Sequence, residues 1–215
     1  MGAQSGMSFR VIKGAACVAE GAQWLAEKDA RFARLLQQTG PLPLRLREDG
    51  FAQLFSAIIS QQVSVASAAA IWARLEQAGF AQQDRVAAAS DDDLRGCGLS
   101  RQKIRYGKAL AGAGIDFNGL RDLPNDEVIK ALVAVPGIGP WTAEVYAMFS
   151  LGRADVFAPG DLALQEAAKV LFDLPERPSE KALRGMALDW SPWRAVAARA
   201  LWAYYRVIKD REGIR

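Results

Sequence analysis

Apolar residues recur three and four positions apart along the chain, in Ala- and Leu-rich runs interrupted by Gly and Pro. That spacing lines one face of an α-helix. It predicts helices over about 20–39, 49–61, 64–78, 82–89, 100–113, 126–134, 140–151, 162–172, 179–188 and 192–210. A short β-like run is confined to Phe9 to Ile12, so the expected fold class is all-α. No internal repeat or low-complexity linker marks a domain boundary.

Composition narrows the chemistry more than the fold. The chain has 215 residues, 51% of them hydrophobic and 24% charged, enough to bury a real core. Cys17 and Cys97 stand far apart, without partners at metal-ligand spacing, which argues against a zinc site, an iron–sulfur cluster or a disulfide framework. Neither a signal-like apolar segment nor a run of about 20 apolar residues is present, so a cytosolic protein without membrane insertion is expected. The 27 basic and 24 acidic residues give a net charge of +3, compatible with a polyanionic partner but too even to require one. There is no histidine. Imidazole bases, Ser-His or Cys-His nucleophiles and histidine metal ligation are thereby excluded, leaving carboxylates, lysines and backbone dipoles.

The most informative stretch is LVAVPGIG at 132–139, followed by PWTAEVYAMFSLG. Asn125 is placed to cap a helix that Pro136 and Gly137 end after Val135, and Pro140 then opens the next helix. The amides of Gly137, Gly139, Trp141 and Thr142 would point out at a helix N-terminus, where they can hold a phosphate without reading sequence. An ordinary turn between two helices remains the alternative. Further on, RADVFAPGDLALQ puts Asp161 after Pro159 and Gly160 at the start of another helix. A helix over 140–151 is about 18 Å long. The segment 152–160 reaches up to ~30 Å, enough to bring Asp161 back beside the hairpin. Asp161 could equally be a helix cap, and the two roles are compatible.

PGIGPWTA followed by a VF-x-P-x-D segment resembles the helix-hairpin-helix DNA glycosylase superfamily, and within it the DNA-3-methyladenine glycosylase II branch. FSAIISQQVSVASAAAIW at 55–72, GLSRQKIRYGKALA at 98–111 and WSPWRAVAARALWAY at 190–204 carry the same likeness. The resemblance implies a two-lobed all-helical fold with a DNA-binding cleft between the lobes. Residues 43–153 would form the central lobe with the helix-hairpin-helix at about 126–151. Residues 1–42 and 154–215 would form the second lobe, carrying the catalytic Asp. The extra N-terminal β-containing domain of larger bacterial members is not expected here.

By the same likeness Asp161 is the catalytic carboxylate, and Gln62 is the plug that fills the gap left by a flipped nucleotide. Trp141 and Trp202 would line the base pocket, with Tyr146 and Tyr204 as further candidates beside Val145 and Ala203, which occupy the positions where the family carries aromatics. Gln62 alone would read as an exposed helix-end residue, and Trp24, Trp72, Trp190 and Trp193 read as core. Carbonyls of Val133, Val135 and Ile138 match a site for Na⁺ or K⁺, although no cofactor is required. Arg101, Lys103, Arg105 and Lys108 could meet phosphates or simply be solvated. The implied activity is monofunctional hydrolysis of the N-glycosidic bond of alkylated, 3-methyladenine-type bases in double-stranded DNA, by a nucleoid-associated monomer. Its rivals are a bifunctional glycosylase and abasic-site lyase, which needs a Schiff-base lysine where Trp141 stands, and a non-catalytic DNA-binding module.

Overall fold

The computed structural model describes residues 9–211. Residues 1–8 and 212–215, which belong to the expected second lobe and include the start of the chain where no apolar segment is expected, lie outside the described residues. The chain divides into two compact units, Met1–Leu46 with Ala147–Arg215, and Arg47–Tyr146.

In the first unit, α1 (Ala15–Lys28) and α2 (Ala30–Thr39) pack on each other and on α12 (Arg194–Arg211), which also carries α10 (Leu162–Leu171). α12 is buried almost continuously from Ala195 to Tyr204, and five of those positions are alanine, which keeps the helix slim enough for neighbours on several sides. The single helix expected over 20–39 is in fact two. The backbone of Asp29 is extended (φ −144°, ψ 114°), and its side chain accepts from the Arg31 amide to cap α2. The apolar spacing continues through Leu25, Phe32 and Leu35, so periodicity alone conceals the break. The Arg31 guanidinium hydrogen-bonded to Asp29 also holds that carboxyl below its usual range.

Phe32, Phe172 and Trp190 pack against one another, and Phe157 meets Trp190 edge-on, behind α10. Trp190 and Trp193 are buried, as expected of core residues, whereas Trp24 and Trp72, expected in the core too, are only partly buried. The 179–188 segment begins with α11 (Glu180–Met186) and tightens into a 3-10 turn at Ala187–Trp190. The β-like run near Phe9 pairs only as one antiparallel bridge, Val11 with Arg153, and among the described residues there is no extended strand.

The second unit contains α3 (Phe51–Ser60), α4 (Val65–Gln77), α5 (Gln83–Ala88), α6 (Asp91–Gly96), α7 (Arg101–Gly112) and α8 (Asn125–Val133), and holds the start of α9 (Pro140–Phe149). α7 is its hub, packing on α3, α5 and α6. The approach of α3 is close because residue 107 is glycine: a Cβ there would stand 2.5 Å from the Phe55 ring. Phe55 is fully buried, a placement worth about 1.5–3 kcal/mol in transfer free energy. α6 is an element that periodicity misses, being too short to display it. Its start is a capping box in which Ser90 Oγ accepts from the Asp93 amide and Asp93 Oδ2 accepts from the Ser90 amide. No helix among the described residues is long and apolar enough to cross a membrane.

Candidate functional site

The hairpin between α8 and α9 is built mainly from backbone. α8 begins one residue earlier than expected: Asn125 is its first helical residue, and the cap position is Pro124, whose apolar ring offers no acceptor to the helix amides. At the other end the Ala134 and Val135 amides donate to Lys130 and Leu132, and the Ile138 amide donates to the Val135 carbonyl at 3.1 Å. Gly137 occupies the left-handed region (φ +96°), and a Cβ there would lie 2.5 Å from the Tyr106 ring. Conformation and space both demand glycine. Gly139 differs, since a Cβ there would meet nothing within 4 Å. Its carbonyl accepts from Ala143 to close the first turn of α9.

Pro140 starts that helix, so the amides at its N-terminus lack intrahelical acceptors by geometry. Gly139, Pro140 and Trp141 are exposed, with Trp141 at 46%, while Thr142 is buried. Val135 and Ile138 are also buried, and Val133 is 37% exposed.

A second loop of the same unit stands beside the hairpin. Gln61 ends α3, and its Nε2 donates to the Gly137 carbonyl at 2.9 Å. Gln62 follows in the left-handed region at φ +58° and is exposed, as are Val63 and Val65. The left-handed backbone of Gln62 turns the chain out of the helical path of α3, a conformation that a non-glycine residue adopts only where its surroundings hold it. The structure thus brings the Gln62 loop and the hairpin together through Gln61, a residue that sequence patterns had not singled out.

The basic residues of α7 divide into two groups. Lys103 does not extend into solvent as a phosphate ligand: its Nζ donates to the Ile59 carbonyl at 2.5 Å, and burial lowers its pKa. Lys108 is paired with Asp91 at 2.5 Å. Arg101, Arg105 and Lys108, with Asp91, Gln102 and Ile104, border a groove of about 640 Å³. Tyr146 is 4% exposed, and its hydroxyl accepts from the Gly50 amide at 2.7 Å, at the start of α3. Burial pushes its pKa up to about 12. Its position is that of a support for α3 more than of a surface offered to a ligand.

Asp161 lies in the first unit, at the N-terminus of α10. Its Oδ1 accepts from the Ala163 amide (2.9 Å), the Leu164 amide (3.1 Å) and the Trp202 indole Nε1 (3.2 Å). Helix capping and contact with the Trp202 indole therefore coexist in one carboxylate oxygen, and the helix N-terminus is a favourable place for negative charge. The preceding turn is fixed as well: the Asp161 amide donates to Ala158, and buried Gln165 donates its Nε2 to the Pro159 carbonyl at 2.8 Å. Trp202 is half-buried, and its ring lies 5.7 Å from that of Phe149 at 35°. Tyr204 is buried, as is Ala203. Gln165 and Phe149 are site neighbours absent from the sequence-based set, because what they hold is defined only by folding.

A family model for HhH-GPD superfamily base excision DNA repair proteins matches residues 55–192. The chain is 30% identical over 189 residues to DNA-3-methyladenine glycosylase 1 of Schizosaccharomyces pombe, covering 83% of this chain and 82% of that protein. It is 28% identical over 184 residues to the putative DNA-3-methyladenine glycosylase YfjP of Bacillus subtilis, covering 80% of this chain but only 64% of that protein. Among solved structures, a DNA-3-methyladenine glycosidase from Bacillus halodurans superposes with a TM-score of 0.80 at 32% identity, over 95% of each chain. The S. pombe 3-methyladenine DNA glycosylase in complex with abasic DNA superposes with a TM-score of 0.72 at 30% identity, over 85% of this chain and 95% of that one.

Proposed function

The chain belongs to the HhH-GPD superfamily of base excision DNA repair proteins, and from that premise we propose that it is a monofunctional DNA glycosylase that hydrolyses the N-glycosidic bond of alkylated, 3-methyladenine-type bases. The observation that carries the reading is the Asp161 carboxylate, held by two α10 amides and by the indole N–H of Trp202, so that acid and aromatic share one corner. The relatives named for 3-methyladenine support the choice of substrate.

In this reading, the amides of Gly137, Gly139, Trp141 and Thr142 grip a phosphate of double-stranded DNA, and Gln62 occupies the gap left by the extruded nucleotide. Trp141 and Trp202 offer electron-rich faces to a base made cationic by alkylation, an attraction of about 0.5–2 kcal/mol. Such a base leaves without being protonated. As the bond breaks, the sugar gains oxocarbenium character, and the Asp161 carboxylate stabilises it and takes a proton from the attacking water. Carbon–nitrogen cleavage releases the free base, and the water oxygen completes an abasic site. Trp141 stands where a Schiff-base lysine would be needed, which supports hydrolysis over lyase chemistry.

A Na⁺ or K⁺ on the carbonyls of Val133, Val135 and Ile138 fits a turn of irregular backbone, since the Val135 oxygen that accepts from Ile138 keeps a second lone pair. Such an ion would add positive charge beside the phosphate, and no step of the reaction passes through it. The protein acts as a monomer in the cytoplasm, at the chromosome.

The test is to incubate the wild type with methylated duplex DNA and to measure free base by chromatography and strand breaks before and after alkali. Release of 3-methyladenine with breaks that appear only after alkali is expected. Borohydride trapping of the protein on DNA would instead make it a lyase, and binding without release would make it a non-catalytic module.

A further inference from the structure

Among the described residues of the first unit, the mechanism leaves two buried guanidinium groups unused, those of Arg153 and Arg199, and the second reaches toward the Asp161 corner. Arg199 of α12 is 0% exposed. Its Nε and Nη2 donate to the Leu44 carbonyl at 3.2 and 3.0 Å, and its Nη1 donates to Ala195 at 2.9 Å. These acceptors are backbone carbonyls, not a carboxylate. Loss of hydration pushes the guanidinium pKa down to about 10, with Arg45 adding repulsion. A cation buried on such terms contributes little to stability, and an apolar side chain of similar volume often serves as well. What it contacts is therefore more informative than what it costs.

The guanidinium lies 4.6 Å from the centroid of the Phe149 ring. Phe149 is 5% exposed and packs 5.7 Å from Trp202. Trp202 in turn donates to Asp161 Oδ1. Four side chains thus form a continuous line of contacts ending at the carboxylate, and its far end is fixed to backbone at Leu44 and Ala195. Planar guanidinium groups suit this task, because they can stack on a ring while their edge N–H groups stay hydrogen-bonded. An indole hydrogen bond depends on the tilt of the ring, and that tilt is set by what the ring rests on.

We propose that Arg199 is a positioning residue of the site: by clamping Phe149 it fixes the plane of Trp202 and keeps the indole N–H on Asp161. The inference rests on the reading of Asp161 as the catalytic carboxylate, but its geometric half can be tested without any turnover.

The test compares wild type, Arg199→Met and Phe149→Leu. In ¹⁵N-labelled protein the Trp202 indole N–H signal is identified by its loss in Trp202→Phe. It should move upfield and exchange faster with water in Arg199→Met. Single-turnover base release from methylated duplex should fall on the order of 10-fold, as expected for a reacting group displaced by a fraction of an ångström to an ångström. Binding of abasic duplex should stay near wild type, because the hairpin is untouched. Phe149→Leu, which leaves the Arg199 carbonyl contacts in place, should reproduce both changes and serves if Arg199→Met does not fold. A Trp202 signal that stays put, or one that moves while base release keeps its wild-type rate, overturns the proposal. If the wild type releases no alkylated base, the glycosylase reading falls, while the indole signal still decides whether Arg199 orients Trp202.

Discussion

The hairpin after α8 and the corner around Asp161 solve different problems with different parts of the chain. In the proposed reading the working groups at the hairpin are backbone amides, and their geometry is set within a few residues by Gly137 and Pro140. At Asp161 the working group is a side chain, and its surroundings come from Trp202, 41 positions away, and from Gln165 behind the turn. The hairpin needs backbone conformation and open space, whereas the carboxylate needs tertiary packing. Substitutions should therefore separate: those at the hairpin should weaken DNA binding, and those at the corner should slow chemistry.

The sharpest separation is expected from Asp161→Asn. Asparagine still caps a helix and leaves the hairpin amides in place, so thermal stability and abasic-DNA affinity should change little. Base release should fall by about 10²–10³-fold or more, because a charge aimed at the developing cation is gone. A parallel loss of binding would reduce Asp161 to a structural cap and erase the distinction.

Trp202→Phe asks how much of the corner depends on one hydrogen bond. A smaller aromatic ring remains and the donor to Oδ1 is lost, so single-turnover release should drop roughly 10-fold with unchanged abasic-DNA binding. A change confined to substrate affinity would assign Trp202 to the pocket wall alone.

Asp161 and the PGIGP turn are legible because a cap, a proline and glycines act locally and carry local signals. The split between α1 and α2 is hidden because the apolar spacing runs through Asp29, and only its extended backbone interrupts the helix. α6 had a readable Ser90–Asp93 capping box but too few residues for periodicity. A basic helix face looks uniform in sequence, so Lys103 reads there as a phosphate contact or a solvated charge, yet folding turns its ammonium onto the Ile59 carbonyl. The bonds of Gln61 to Gly137, Gln165 to Pro159 and Trp202 to Asp161 join segments that only the folded chain brings together.

Within the hairpin, its two glycines offer a finer comparison. Gly137→Ala meets a left-handed backbone and the Tyr106 ring, and should cost about 1–3 kcal/mol in urea unfolding. Gly139→Ala enters open space and should leave stability unaltered while reducing affinity for abasic duplex several-fold, because in the proposed reading a phosphate approaches on that side. If both lose stability equally, the open side of Gly139 is not a ligand face.

The smallest effect is expected at Gln62, which is exposed and contributes little to folding. Gln62→Ala should lose a few-fold in excision from a paired duplex and less from a mismatched one, where extrusion is already partly met. An equal loss in both duplexes with a lowered melting temperature would make Gln62 a structural helix-end residue.

The most direct test of the division of labour sets Asp161→Asn against Gly139→Ala on one methylated duplex, with single-turnover release measured across protein concentration. Gly139→Ala should reach the wild-type rate at saturation but need more protein, and Asp161→Asn should saturate at the wild-type concentration with almost no release. If both variants fail in the same way, at the plateau or at the midpoint, the hairpin and the carboxylate do not have separate roles.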